Sequence, residues 1–352
     1  MENKTVQKGG SEHITALIKS AVECGRNEAH VTGSWEIESA VRIPSDFTIY
    51  LDNCYLVMAD KVYSNMFVNE HHDTDIGRTT EGTDRNISII GDGNSILDGG
   101  NYNGLSESTT KRPGMPPIWK NNLILFTNVK GFKISGIECH NQRWWALNFI
   151  YCSDGYIGNI HFISSNLAVD KDGNMYRGLI RSRAIEVLVF NSDGVDIRQG
   201  CHDILIENIT GFTEDDTVAI TGLNGQMEQH FAVSGLSPDM YNITVRNVKA
   251  EAFCSLVRLL NQDGIVLHDV LVDGVYNTWK DATYMDVPGG GVLLGDSRLF
   301  GARNSTLDEC YNITIRNVYG KIKGLRIAHG AGNLVFENIN SENEELRLLD
   351  ER

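Results

Sequence analysis

The chain has 352 residues and a formal net charge of −15, with 41 % hydrophobic and 22 % charged residues. This composition is typical of a folded globular protein with a large core. The negative charge disfavours nucleic acid and anionic membranes as partners, because both need a basic face. No apolar run approaches the roughly 18 residues of a membrane span, and no secretory signal is recognisable at the N-terminus.

The seven cysteines are an odd number and form no Cys-x-x-Cys or Cys-x-x-His pair. Buried thiols in a reducing compartment are therefore expected, rather than disulfides or a metal site. Together with the missing signal, this pattern predicts a cytoplasmic protein without a metal or a cofactor.

The first ordered segment, residues 11–31, is predicted to be one helix. Ile14, Leu17, Ile18 and Val22 recur at helical spacing, and Gly25 is the stop signal. Residues 40–52 are strand-like. A helix followed by short strands would cap the open end of a solenoid, which otherwise exposes apolar surface and an unpaired edge.

From residue 86 onward a motif recurs in which alternating apolar residues precede Asn, Gly or Asp and then Ile or Val. The Asn, Gly or Asp stands at 91, 136, 159, 208, 247, 269, 317 and 338. The gaps cluster near one or two units of about 22 residues, with the excess in insertions. Asparagines at such bends can bond to the main chain and tolerate left-handed geometry.

Short strands at this period predict an all-β fold, a right-handed parallel β-helix with about three strands per coil. A leucine-rich repeat has a similar period, but its Leu-x-x-Leu-x-Leu-x-x-Asn run is absent. One domain is expected over 1–352, with a cap at 1–35, coils at 36–340 and a tail at 341–352. Residues 101–120, 166–180 and 274–310 are too irregular for strands and are predicted to wall a binding cleft.

Two acidic clusters carry the functional prediction. Asp193 follows Asn191 and Ser192, and Asp215 and Asp216 come one period later. The repeat would stack the two clusters on neighbouring coils, where the carboxylates cannot all stay ionised. One of them would keep its proton near neutral pH and could act as an acid.

With these motifs the sequence resembles the glycoside hydrolases of family 28, the polygalacturonase family, over residues 36–340. That family has Asn-Thr-Asp followed about 21 residues later by Asp-Asp, which matches 191–193 and 215–216. Its Asp-Gly and Arg-Pro landmarks match 98–99 and 112–113, and its Asn-x-Pro-x-Trp-x-x-His stretch resembles residues 141–148.

The resemblance implies a glycoside hydrolase that cleaves pectin-like or related oligosaccharides with inversion. Asp215 would be the acid, and Asp193 and Asp216 the bases. Inverting enzymes place their carboxyl groups about 6.5–9.5 Å apart to seat a water. A regular strand would send Asp215 and Asp216 to opposite faces, so both can serve only where the backbone kinks.

Two family motifs are altered. Gly-His-Gly is matched by Gln229-His230-Phe231, and Arg-Ile-Lys by Arg258-Leu259-Leu260. The lost lysine favours a neutral or differently charged sugar over galacturonan. The predicted substrate-binding residues are Asn191, His230, Arg258, Trp145, Arg143 and Tyr284.

Two alternatives stay open. One is a polysaccharide lyase on the same scaffold, and the other is an inactive carbohydrate-binding β-helix. Long loops that close one end of the cleft would favour exo action. The sequence does not predict the sugar, the linkage or the oligomeric state.

Overall fold

A computed structural model gives the fold. The structure describes residues 5–100, 116–117, 119–142, 145–164, 168–169, 175–176, 193–279, 289–296, 298–322, 324–339 and 348–350. Two parallel sheets of ten strands each run along the molecule. The prediction of a right-handed parallel β-helix with an N-terminal helix is confirmed. None of the helices in the described ranges combines the length and apolarity of a membrane span.

Sheet A contains the long strands, and each strand pairs in parallel with the next. Its members in order are β1 (Glu28–Ile37), β3 (Thr48–Met58), β5 (Asp84–Asp98), β7 (Val129–His140), β9 (Ser153–Ile163), β13 (His202–Thr213), β15 (Met240–Ala252), β17 (Leu267–Asn277), β19 (Cys310–Gly320) and β21 (Gly332–Ile339).

Sheet B contains the short strands, also in parallel. They are β2 (Val41–Ile43), β4 (Phe67–Asn69), β6 (Ile124–Thr127), β8 (Trp145–Ile150), β12 (Asp193–Arg198), β14 (Val218–Gly222), β16 (Ser255–Asn261), β18 (Gly290–Leu294), β20 (Leu325–Ile327) and β22 (Leu348–Asp350). Outside the two sheets lie the small antiparallel pair β10 (Ala168–Val169) and β11 (Met175–Tyr176), a 3₁₀ turn (Ile76–Arg78), α1 (Gly10–Glu23) and α2 (Gln226–His230).

The long strands bend at residues with positive φ, as the repeat motif predicts. Asn208 in β13 (φ 56°) lies beside Asn247 in β15 (φ 54°), and the strands pair on both sides of this position. The side-chain amide of Asn247 donates a hydrogen bond to the side-chain oxygen of Asn208, and the amide of Asn208 donates to the side-chain oxygen of Asn159. Each bend divides its strand into two limbs, and the sheet B strand completes about three strands per coil.

The repeat assignment needs one correction. The register stacks Ile206, Val245, Val272, Ile315 and Phe336, so the coils between them are 39, 27, 43 and 21 residues long. Each long gap is therefore one coil with an insertion, not two coils. Asp269 belongs to a second column of bends, in which the Asn312 amide donates to it, while Gly274 lies beside Asn247.

The segment boundaries also differ from the sequence expectations. The helix ends at Glu23, because Gly25 turns left-handed (φ 68°), and the chain enters β1 at Glu28. Residues 24–31 were thus wrongly predicted as helix. Strands β10, β11 and β18 lie in segments predicted to contain none, and β22 pairs with β20 inside the predicted tail. β18 has no alternating pattern because its residues are nearly all buried.

The core lies between the sheets. Inward residues of sheet A alternate with exposed ones, as in β3, and Ile, Val, Leu and Phe stack on their equivalents in the next coil. Sheet B differs, because every residue of β12, β14 and β16 is buried. The outer face of these strands is therefore covered, and the acidic clusters lie there.

A close backbone approach in sheet A gives a stability prediction. A Cβ on Gly211 (φ 104°) would lie 2.0 Å from the Phe162 carbonyl oxygen, whereas one on Gly93 (φ 85°) would have no neighbour within 4 Å. Gly93→Ala should lower the free energy of unfolding by roughly 1 kcal/mol, because an alanine is strained in left-handed backbone. Gly211→Ala should lower it by roughly 1–3 kcal/mol more, because its Cβ would also overpack against the neighbouring strand. Equal thermal midpoints for the two variants would contradict this.

Candidate active site

The two acidic clusters meet at the start of neighbouring sheet B strands. Asp193 opens β12 and Asp216 precedes β14, and the strands pair through Val195 and Val218. The backbone N–H of Asp216 donates to Asp193 Oδ1 at 3.0 Å, and the N–H of Gly194 donates to the Asp216 carbonyl at 3.0 Å. The parallel ladder thus sets Asp193 directly beside Asp216.

Asp215 lies at the same place but is more exposed. Residues 214, 215 and 217 form bends, so the chain has not yet entered the regular strand. The carboxyl oxygens of Asp215 and Asp216 and the Cys254 sulfur lie within 4.8 Å of one another. The backbone kink that lets the adjacent Asp215 and Asp216 face the same site is therefore present. Asp215 is partly exposed, whereas Asp193 and Asp216 are each 7 % exposed.

The Asp216 carboxylate is held from the next coil. The Ser255 hydroxyl donates to Oδ1, and the Arg258 Nε lies 3.2 Å from Oδ2. The guanidinium of Arg258 also reaches Asp296, with Nη1 2.5 Å from Oδ2. Arg258 is 8 % exposed, so this cation bridges two carboxylates in a largely dry environment.

A second buried arginine lies on the other side of Asp193. Arg198 Nη2 is 3.1 Å from Asp196 Oδ1, and Nη1 is 3.1 Å from Glu228 Oε1 in α2. The guanidinium lies over the ring of Trp145, 4.0 Å from its centroid. Asp196 is fully buried, and its Oδ2 has no hydrogen-bond partner among the residues that the structure describes. One guanidinium cannot neutralise two buried carboxylates, so this triad favours one proton on an acid.

Burial and mutual repulsion raise the pKa values in the cluster. Burial, followed by the charges of Asp196, Asp215 and Asp216, raises the pKa of Asp193 well above its usual range. Burial raises the pKa of Asp196 to about 8 against the opposing effect of Arg198. Burial raises the pKa of Asp216 to about 6, and Arg258 limits the rise. Asp216 is thus held ionised more readily than Asp193 or Asp196.

The site can therefore combine a neutral acid and an ionised base. Groups whose environments push their pKa values apart are suited to donating and accepting protons in one reaction. Cys254 supports Asp215 structurally, because its N–H donates to the Asp215 carbonyl at 3.3 Å. Burial, and then the negative charges of Asp215 and Asp216, raise the pKa of the Cys254 thiol, so a thiolate is not expected there.

Two of the predicted binding residues lie at the cluster. Arg258 contacts Asp216 and Asp296, so its charge is already engaged. Trp145 begins β8 beside Asp193 in the ladder. Its ring is 8 % exposed and one face is covered by Arg198. The role of Trp145 in substrate binding stays a prediction.

His230 belongs to a different cluster. It ends α2, its Nε2 lies 2.6 Å from Asp73 Oδ1, and its ring stacks on Trp119 with centroids 4.3 Å apart. None of its contacts among the described residues is with the three predicted catalytic aspartates. Asn191, Arg143 and Tyr284 lie outside the described residues.

Sequence reasoning missed Asp196, Arg198, Glu228, Ser255 and Asp296. Asp196 and Arg198 had a signal, because they alternate with the core residues Val195 and Ile197 and so must face outward. Asp296 has no such signal in the sequence, because its partner Arg258 is 38 residues away along the chain.

Several solved structures resemble this fold. An exopolygalacturonase from Thermotoga maritima is 11 % identical (TM-score 0.55), with 97 % of this chain and 74 % of that chain covered. A polygalacturonase from Erwinia carotovora ssp. carotovora is 12 % identical (TM-score 0.54), with 95 % and 92 % covered. An iota-carrageenase complexed to iota-carrageenan fragments is 10 % identical (TM-score 0.57), with 96 % and 86 % covered. At these identities the likeness establishes the fold.

The family follows from the sequence. No curated protein matches the chain. Residues 64–250 match the family model described as glycosyl hydrolases family 28, which is 187 of the 352 residues and includes Asp193, Asp215 and Asp216. The predicted family resemblance is confirmed, and the chain belongs to glycosyl hydrolases family 28 as a glycoside hydrolase.

Proposed function

We propose that this glycoside hydrolase cleaves a glycosidic bond in pectin-like or related oligosaccharides through the acids Asp193, Asp215 and Asp216. The observation that carries the proposal is the hydrogen bond from the Asp216 backbone to the Asp193 carboxylate, beside the partly exposed Asp215. It brings three acids from two coils to one point of the surface.

The roles follow from exposure and charge. The family resemblance makes Asp215 the acid that donates the proton to the leaving oxygen, and it is the most exposed of the three. Asp216 receives the water proton, because Arg258 favours its ionised form. Asp193, whose pKa is raised well above its usual range by burial, holds that water through a hydrogen bond. General acid and base steps of this kind contribute about 10²–10⁴-fold each.

The inverting assignment rests on the family resemblance and not on the spacing. The nearest oxygens of Asp215 and Asp216 lie within 4.8 Å, which is closer than the roughly 6.5–9.5 Å of inverting enzymes and nearer the roughly 5 Å of retaining ones. In this proposal Asp193 and Asp216 both bind the attacking water, so two carboxylates hold the nucleophile and a single distant base is not needed.

The charges around the acids support a neutral or weakly charged sugar at the bond that is cleaved. Two buried arginines lie near the acids in the described part of the chain, and both are already paired: Arg258 with Asp216 and Asp296, and Arg198 with Asp196 and Glu228. A sugar carboxylate would have to compete for them. Pectin contains neutral side chains beside its uronic acids, and both classes belong in a substrate panel.

Replacing the proposed acid should remove the activity. Asp215→Asn is expected to lower kcat by at least about 10²-fold on whichever pectic oligosaccharide or aryl glycoside the native chain cleaves. Asp60→Asn, at an exposed turn, is the matched control and should keep full activity. Equal turnover by Asp215→Asn and native protein would reject the role. Product absorbance from a new double bond would instead indicate elimination.

The stereochemical course can be measured directly. Proton NMR of the first product should show the anomer opposite to that of the cleaved bond, because the water attacks without a covalent intermediate. A first product with retained configuration would assign Asp216 or Asp193 as a nucleophile, in line with the short carboxylate spacing.

The pH profile should report the base. Because Asp216 must be ionised, kcat/KM should fall as the pH drops through about 6, the pKa to which burial raises this group. Arg258→Gln removes the cation that opposes the rise, so the acidic limb should move to higher pH. Arg258→Lys keeps the positive charge and should move the acidic limb less. An unchanged limb in Arg258→Gln would contradict the assignment.

A further inference from the structure

The outer face of sheet B on one side of the acids is not open. Val68 in β4, Leu125 in β6 and Ile150 in β8 lie in the apolar cluster outside the main core, and each is fully buried. An apolar outer row of this kind is stable only where another part of the chain covers it.

The cover is the segment of residues 223–239 that follows β14. Its side chains Met227, Phe231 and Val233 pack in one cluster with Val68, Leu125 and Ile150. Trp119, which precedes β6, meets this segment from the opposite end of the strands. Its ring stacks on His230 at 4.3 Å and meets the edge of Phe231 at 5.8 Å. The cover therefore extends along these strands from one end to the other.

Charged groups fasten the cover on both sides. Asp73, in the loop after β4, pairs with His230 at 2.6 Å, with Arg78 at 3.2 Å and with Lys120 at 3.6 Å. On the side of the acids, Glu228 binds Arg198 of β12. The cover thus reaches the same strand that carries Asp193, and neighbouring strands lie only about 4.8 Å apart.

From this geometry, and resting on the proposed function, we infer that the enzyme acts on the ends of saccharide chains. A polymer that lay across sheet B could not continue past the acids toward β8, because Trp119, α2 and the buried apolar row fill that space. The partly exposed Asp215 and Cys254 lie on the other side of this wall. The substrate enters with one end against the cover, and one short product of fixed length leaves.

The product profile tests this inference on the native chain. Polygalacturonate and a neutral pectic galactan are digested, and viscosity, reducing ends and product sizes are followed from the first minutes. We expect one short product throughout, with little loss of viscosity while reducing ends accumulate. A rapid fall in viscosity with products of intermediate length would overturn end-specific action and leave the glycosidase proposal intact. Absence of hydrolysis on every glycan would reject the proposed function itself, and this inference with it.

A variant pair tests the cover. Trp119→Ala combined with His230→Ala removes the stack that closes the wall, and products of intermediate length should then appear. His13→Ala with Trp35→Ala removes a comparable stack at 4.1 Å in the N-terminal cap and should leave the product sizes unchanged. The thermal midpoints of both variants show whether each is folded. A folded Trp119/His230 variant that still releases only the short product would argue against the cover as the wall.

Discussion

The parallel register between neighbouring coils is the constraint on which the site depends. Val195 pairs with Val218, and this pairing alone fixes Asp193 beside Asp216. A slip of one residue would turn Val195 and Ile197 out of the core, so the buried side chains hold the carboxylates in place. The acids need no scaffold of their own, because the packing that stabilises the fold also aligns them.

The same alignment concentrates negative charge in a dry place. The charges of Asp215 and Asp216 lie close enough to raise the pKa values of the buried carboxyl groups of Asp193 and Asp196. Two buried arginines limit the repulsion, and each is shared with a further acid, Glu228 or Asp296. Neither arginine can fully neutralise its neighbours, so protons remain in the cluster near neutral pH. That retained acidity is what hydrolysis of an acetal bond requires.

The sequence predicted what the period controls. The bends at Asn159, Asn208 and Asn247 and the meeting of Asp193 with Asp216 follow from alternating apolar residues and their spacing. The sequence prediction failed where two columns of bends have the same local sequence pattern. Asp269 has the pattern of Asn247 but belongs to the other column.

Spacing along the chain also does not predict the surroundings of residues that leave the coils. His230 lies at a plausible distance along the chain, but residues 223–239 fold over the outer face of sheet B and carry it to Asp73 instead. The partnership of Arg258 with Asp296 was equally hidden, because it joins β16 to the end of β18 across a long insertion. Long-range contacts of this kind have no signature in local pattern.

The unequal coil lengths have a consequence for how such a protein can change. Coils of 21 and 43 residues stack with the same register, so the surplus lies between strands and leaves the ladder untouched. An insertion between strands can therefore be lengthened or trimmed without moving the acids, as long as a contact such as that of Glu228 with Arg198 is kept. The shape of the entrance can then change while the reaction centre stays the same, and relatives can come to prefer quite different glycans.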